Sequence, residues 1–124
     1  MQSSERYVVL LADDDPLVRD VVRAILTQAG YEVLNAVDGE QALELSRSYD
    51  GSIHVLLTDV KMPRMDGVQL SHLVAQERPG IKVLVMSGKT SGELTALSEN
   101  VHFLRKPFLP KTLRERLSAM LNRG

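Results

Sequence analysis

Five short apolar runs constrain this chain more than any other feature: "YVVLLA" (7–12), "YEVLNA" (31–36), "IHVLLT" (53–58), "IKVLVM" (81–86) and "VHFL" (101–104). They are rich in β-branched residues, and most are apolar on consecutive positions. A strand with one wet face alternates apolar and polar residues; a run that is apolar throughout suits a strand covered on both faces, as in parallel sheets. The segments between the runs have helical period. Residues 17–29 place Val18, Val21, Val22, Ile25, Leu26 and Ala29 on one stripe, after Pro16 and before Gly30 as a stop. Residues 38–49, 67–77 and 110–122 repeat the pattern, the last opening on Pro110. Residues 90–99 show it most weakly. Strands alternating with helices predict five βα units, an α/β doubly wound sandwich around a parallel sheet. Right-handed crossovers then gather the loops after each strand along one edge, where ligands of such folds bind.

A chain of 124 residues that is 44% hydrophobic can build one core and is too short for two. The expectation is a single domain over 1–124, with residues 1–6 a flexible N-terminal segment. Fifteen basic residues against sixteen acidic ones leave a net charge of −1, so no global field draws the chain to nucleic acid or anionic lipid. It has no cysteine, which excludes a disulfide framework and a thiolate metal site. No apolar run approaches the ~18 residues that span a bilayer, and "MQSSER" lacks the apolar core of a signal peptide. A cytoplasmic location is expected.

The predicted edge is crowded with polar residues. The first strand ends in Asp13, Asp14 and Asp15, the third in Asp59, the fourth in Ser87, and the fifth is followed by Lys106. In a 2-1-3-4-5 strand order, strands one and three are neighbours and their terminal aspartates face each other across the crevice. Crowded carboxylates resist joint ionisation unless a cation sits among them. Oxygen ligands without Cys or paired His point to a hard ion, Mg²⁺ by preference, which binds through one or two carboxylates plus phosphate oxygens. Aspartate can accept a phosphoryl group as an acyl phosphate when metal and fixed donors neutralise the transferring charge. Ser87 and Lys106 are the candidate donors.

The motifs "ADDDP", "LLTDVKMPRMDG", "MSG" and "FLRKPF", in this order, resemble those of response regulator receiver domains (CheY-like) of two-component systems. The likeness runs over residues 6–122 and is strongest to the receivers of hybrid sensor histidine kinases. It implies a flavodoxin-like (βα)5 sandwich with a five-stranded parallel sheet in the order 2-1-3-4-5. Asp59 is the implied phosphoacceptor. Asp14 is implied as a direct Mg²⁺ ligand, Asp13 as one acting mainly through water, and the backbone carbonyl of Lys61 as the remaining protein ligand. Ser87 takes the place of the hydroxyl that turns toward the phosphoryl group, Lys106 that of the family lysine, and Phe103 that of the aromatic switch, with Pro107 after a cis peptide. The implied partner is a histidine kinase or a histidine phosphotransfer domain, with no direct binding to nucleic acid or membrane. A phosphorylation-dependent homodimer is compatible with the likeness. The implied product is a signalling phosphoprotein rather than an enzyme. Lys61 and Lys89 fall two positions beyond the acceptor and the hydroxyl residue, where side chains of the family stand near the hydrolytic water.

The interval from Ser87 to Lys106 is shorter than usual for the family, and its glycines predict a short or displaced helix. Asp15 before Pro16 and Asp66 before Gly67 read as helix caps before ligands. His54, His72 and His102 lack ligand spacing. One rival reading is a Mg²⁺-dependent phosphohydrolase of the haloacid dehalogenase type. It would want Thr at position 17, where the chain has Leu17, and there is no room for a cap domain. The other rival is a degenerate receiver acting only as an interaction module, although every acidic, hydroxyl and lysine position is filled. No Gly-rich nucleotide loop is present.

Overall fold

The computed structural model describes residues 6–88 and 101–121; the helix expected over 90–99, Lys89 and residues 1–5 lie outside them. Five strands, β1 (Val8–Ala12), β2 (Glu32–Ala36), β3 (Val55–Asp59), β4 (Lys82–Ser87) and β5 (Val101–Arg105), form one sheet in the order β2-β1-β3-β4-β5. Every pairing is parallel, with Leu10 beside Leu34 and Leu56, and Val85 beside Phe103. The helices are α1 (Pro16–Gln28), α2 (Gly39–Ser48), α3 (Gly67–Glu77) and α4 (Pro110–Met120). Topology and order agree with the sequence-based expectation. The parallel arrangement also explains the consecutive apolar runs, since all five residues of β1 are buried.

The period of two along each strand divides the core into two layers. Leu10, Ala12, Leu56, Val83 and Val85 pack with Ala42, Leu43, Leu70 and Val74 of α2 and α3. Val9, Leu11, Leu57, Leu84, Met86 and Leu104 pack with Val22, Leu26, Leu113 and Leu117 of α1 and α4. Full burial of each Val, Leu or Met side chain among these contributes about 1.5–3 kcal/mol of transfer free energy, so the two layers hold the sheet between the helices.

Local signals set the helix ends. Asp15 caps α1 by accepting from the N–H groups of Leu17 (3.0 Å) and Val18 (3.4 Å). The helix closes at Ala29, and Gly30 turns the chain with a φ of 96°, which glycine adopts without a Cβ clash. At the opposite end of the sheet from the strand C-termini, Arg78 donates to the carbonyls of Ser46 (2.7 Å), Tyr49 (2.8 Å) and Gly51 (2.9 Å), joining the ends of α2 and α3. Among the described residues no helix is long and apolar enough to cross a membrane.

Candidate functional site

The C-terminal ends of β1 and β3 lie side by side, Ala12 beside Thr58. The next residues therefore converge. Asp13, Asp14 and Asp59 each offer a carboxylate oxygen within 4.8 Å of the others, the grouping expected from the strand ends. The three differ sharply in surroundings. Asp13 is fully buried, Asp59 half-buried and Asp14 exposed. One Asp13 oxygen, Oδ1, accepts from the Asp15 N–H at 2.9 Å. The other, Oδ2, is buried without a hydrogen-bond partner. Burial pushes the Asp13 carboxyl above the ordinary range; the Asp15 N–H opposes this, and the facing Asp59 carboxylate adds to the rise. Asp59 Oδ1 accepts from the Val60 N–H at 2.9 Å. An orphaned buried carboxylate oxygen, in a cluster of all-oxygen donors, fits a hard divalent cation, because such an ion offsets the charge that burial makes costly.

Lys106 follows β5 and reaches the same cluster. Its Nζ is 3.3 Å from Asp59 Oδ2 and 4.0 Å from Asp13 Oδ2. Its backbone N–H donates to the Ser87 carbonyl at 2.8 Å, and the following bond to Pro107 is cis, as the likeness implies. Ser87 ends β4 and is partly exposed. Phe103 is half-buried against the layer containing α2 and α3, so packing accounts for it in this state. Lys61 is exposed in the loop after β3. Thus Asp13, Asp14, Asp59 and Lys106 come together, Ser87 stands at the same edge, and Lys89 lies outside the described residues.

Several supporting residues escape a reading of the sequence alone. A Cβ on Gly67 would come within 2.1 Å of the Asp59 carbonyl oxygen, so only glycine lets α3 start this close to the third strand end. The Gly67 N–H donates to the Val60 carbonyl at 2.7 Å, and the Thr58 hydroxyl donates to the Asp59 carbonyl at 2.8 Å. Arg19 Nη1 donates to the Asp13 carbonyl at 2.7 Å, bracing the first acidic turn from α1. The available signal was a repeated "Asp-Gly-x-Gln", at 38–41 and again at 66–69. In both copies the Asp caps its helix by accepting from the Gln N–H at 2.8 Å, and in both the Gly is buried.

Asp15 and Asp66 are the caps expected of them. His54 has a structural role: its Nδ1 accepts from the Val8 N–H at 3.0 Å, and its ring meets Tyr7 edge-on at 4.9 Å. His102 is held below the ordinary imidazole range by burial, with Arg116 and Lys82 adding to the effect.

Comparison with known proteins places this geometry. The family model "Response regulator receiver domain" matches residues 9–118. The chain is 34% identical over 123 residues to a chemotaxis protein CheY homolog of Campylobacter jejuni, covering 94% of this chain and 93% of that protein. Among solved structures, it superposes on a response regulator receiver protein from Sinorhizobium medicae with a TM-score of 0.87 and 28% identity, covering 97% and 98% of the two chains. The receiver domain of the hybrid histidine kinase CckA matches at a TM-score of 0.73 and 35% identity, covering 92% and 98%. The chain spans about half the length of several other curated relatives it matches. These likenesses favour neither the phosphohydrolase nor the degenerate-module alternative. With the fold, the acidic cluster and these relatives in agreement, the chain belongs to the response regulator receiver domain family.

Proposed function

We propose that residues 1–124 act as one receiver unit of a two-component phosphorelay, a signalling domain rather than an enzyme with a separate substrate. The donor is the phosphohistidine of a histidine kinase or a histidine phosphotransfer domain, and the acceptor is Asp59. The carrying observation is the Asp59 carboxylate, which faces Lys106 at 3.3 Å and shares a cluster with two further aspartates. A carboxylate oxygen of Asp59 attacks phosphorus, the phosphorus–nitrogen bond breaks, and the electron pair leaves with the imidazole, giving an acyl phosphate. Asp13, Asp14, Asp59 and the Lys61 carbonyl would hold Mg²⁺, which supplies charge neutralisation for the transferring group when bound.

Lys106 donates its point charge to the phosphoryl oxygens, and the Ser87 hydroxyl gives a hydrogen bond once drawn inward. That movement repacks Phe103 on β5, the conformational output of the domain. Lys61, exposed in the loop after the third strand, limits the approach of water to the acyl phosphate, and the same role is proposed for Lys89 from its sequence position alone. A cytoplasmic setting and a homodimer formed on phosphorylation accompany this reading.

A groove beside the site supports a helical donor. It measures about 510 Å³ and is lined by Leu17, Val18, Val21, Lys106 and Phe108 among others. Leu17 is 77% exposed and Val21 59%, an apolar edge that continues directly to the Lys106 side of the acidic cluster.

Intact mass after treatment with acetyl phosphate and Mg²⁺ tests the assignment. The parent should gain one phosphoryl group, and Asp59→Asn none, with an unchanged circular dichroism spectrum. Label appearing on Asp13 or Asp14 of that variant would overturn the assignment of Asp59.

A further inference from the structure

The loop after Asp59 rests on the start of α2, and one carboxylate fastens it there. Asp38 is almost fully buried. Its Oδ1 accepts from the Gln41 N–H at 2.8 Å and so caps α2. Its Oδ2 receives Arg64 Nη2 at 2.5 Å, across 26 residues of sequence. Arg64 Nε stands 3.5 Å from Glu40. Beside the pair, a Cβ on Gly39 would lie 2.5 Å from the Met65 carbonyl oxygen, so glycine at the first turn of α2 lets the loop lie flat. Met62, at the base of the same loop, is buried in the core layer that includes Ala36 and Ala42.

We infer that the Asp38–Arg64 ion pair positions the metal and phosphoryl site by fixing the 60–66 loop, which carries Lys61, against the start of α2. The inference rests on the phosphoacceptor reading. The backbone supplies its first support. Arg64 has a φ of 71°, a conformation in which Gly or Asn costs least, yet the chain keeps an arginine there. The second support is where the pair leads. Asp38 lies two residues past Ala36, whose carbonyl accepts the Asp13 N–H at 3.3 Å. Arg64 lies five residues past Asp59. The pair therefore ties the backbone behind one acidic residue to the backbone behind the other, as outer partners of metal ligands do. The bland alternative is an exposed arginine, 60% accessible, that neutralises a capping aspartate and nothing more.

The two readings predict opposite signs. If only the field mattered, removing the Arg64 cation would tighten Mg²⁺ binding. A positioning role makes its loss weaken binding. The variants are Arg64→Asn, which tolerates the left-handed backbone but cannot reach Asp38, and Asp38→Asn, which keeps the capping oxygen and loses the charge. Mg²⁺ affinity by titration calorimetry should fall about tenfold in each, the lower end of the range for outer partners of a metal site. The double variant should be no weaker than the worse single one, Arg64→Lys should recover most of the loss, and Arg64→Asn should remain fully folded at the titration temperature by circular dichroism. Tighter or unchanged Mg²⁺ binding in Arg64→Asn, or effects that multiply in the double variant, overturns the inference. Acetyl phosphate labelling of the parent separates the levels: a labelled parent with unaffected variants removes the clamp alone, and a parent that takes no label overturns both readings.

Discussion

Lys106 Nζ stands 3.3 Å from Oδ2 of Asp59 and 4.0 Å from Oδ2 of Asp13, so one ammonium faces two of the three clustered carboxylates. In the absence of metal, this ammonium partly offsets the acidic cluster. Lys106→Met should therefore tighten Mg²⁺ binding severalfold, because a competing cation has gone. The same change should slow labelling by about 100-fold, since a donor to the transferring charge is lost. Calorimetry and intact mass measure the two effects separately. Weaker Mg²⁺ binding in the variant would contradict the electrostatic account.

Asp13 is costly to the metal-free fold. Its folded carboxyl is raised above the unfolded value of about 3.9. Between those two values the native chain holds more protons than the unfolded chain, so stability falls as pH rises through that window, and the penalty is fully present above it. Asp13→Asn cannot ionise. In chelator at neutral pH it should be more stable than the parent by roughly 1–3 kcal/mol, the range for an ill-paired buried polar group, and the gain should vanish below the window. Saturating Mg²⁺ should reduce or reverse the order by stabilising the parent preferentially. Urea titrations at two pH values, with and without Mg²⁺, test this; an Asn variant less stable at neutral pH contradicts it.

Two glycines should respond very differently to alanine. Gly67→Ala forces a Cβ to within 2.1 Å of the Asp59 carbonyl oxygen, a backbone atom that cannot yield without moving Asp59 itself. Its cost should be at least about 3 kcal/mol, together with impaired labelling. Gly30→Ala meets nothing within 4 Å and suffers only its positive φ, worth about 1–2 kcal/mol. Denaturant midpoints rank the pair, and equal costs would show that the α3 start can shift away from β3.

The apolar edge of α1 should matter for the donor and not for the chemistry. Leu17→Ser with Val21→Ser removes exposed side chains, so the melting point should change little. Transfer from a phosphohistidine donor should slow by about tenfold or more, as for loss of anchors at an interface. Labelling by acetyl phosphate should be unaffected. A parallel loss with both donors would place the defect in the acidic site instead.

Local pattern by itself determined much of this protein. Consecutive apolar runs, rather than alternating ones, reported strands covered on both faces, and that implied a parallel sheet with one loop-bearing edge. Pro16, Gly30 and Pro110 punctuated the helices within a residue or two of their observed ends. Asp13, Asp14, Asp59, Ser87 and Lys106 could be named from strand ends because a doubly wound sheet sends every strand C-terminus to the same side. The tertiary structure alone decided how neighbouring residues of identical chemistry differ. Asp13 and Asp14 are indistinguishable in sequence, yet one is sealed beneath the turn that Asp15 and Arg19 hold and the other faces solvent. It also decided that Gly67 must lack a side chain and that Arg64 must meet Asp38. These are contacts between segments distant along the chain, set by how the layers stack, and no local period encodes which atoms the stacking brings to within a few ångströms of each other.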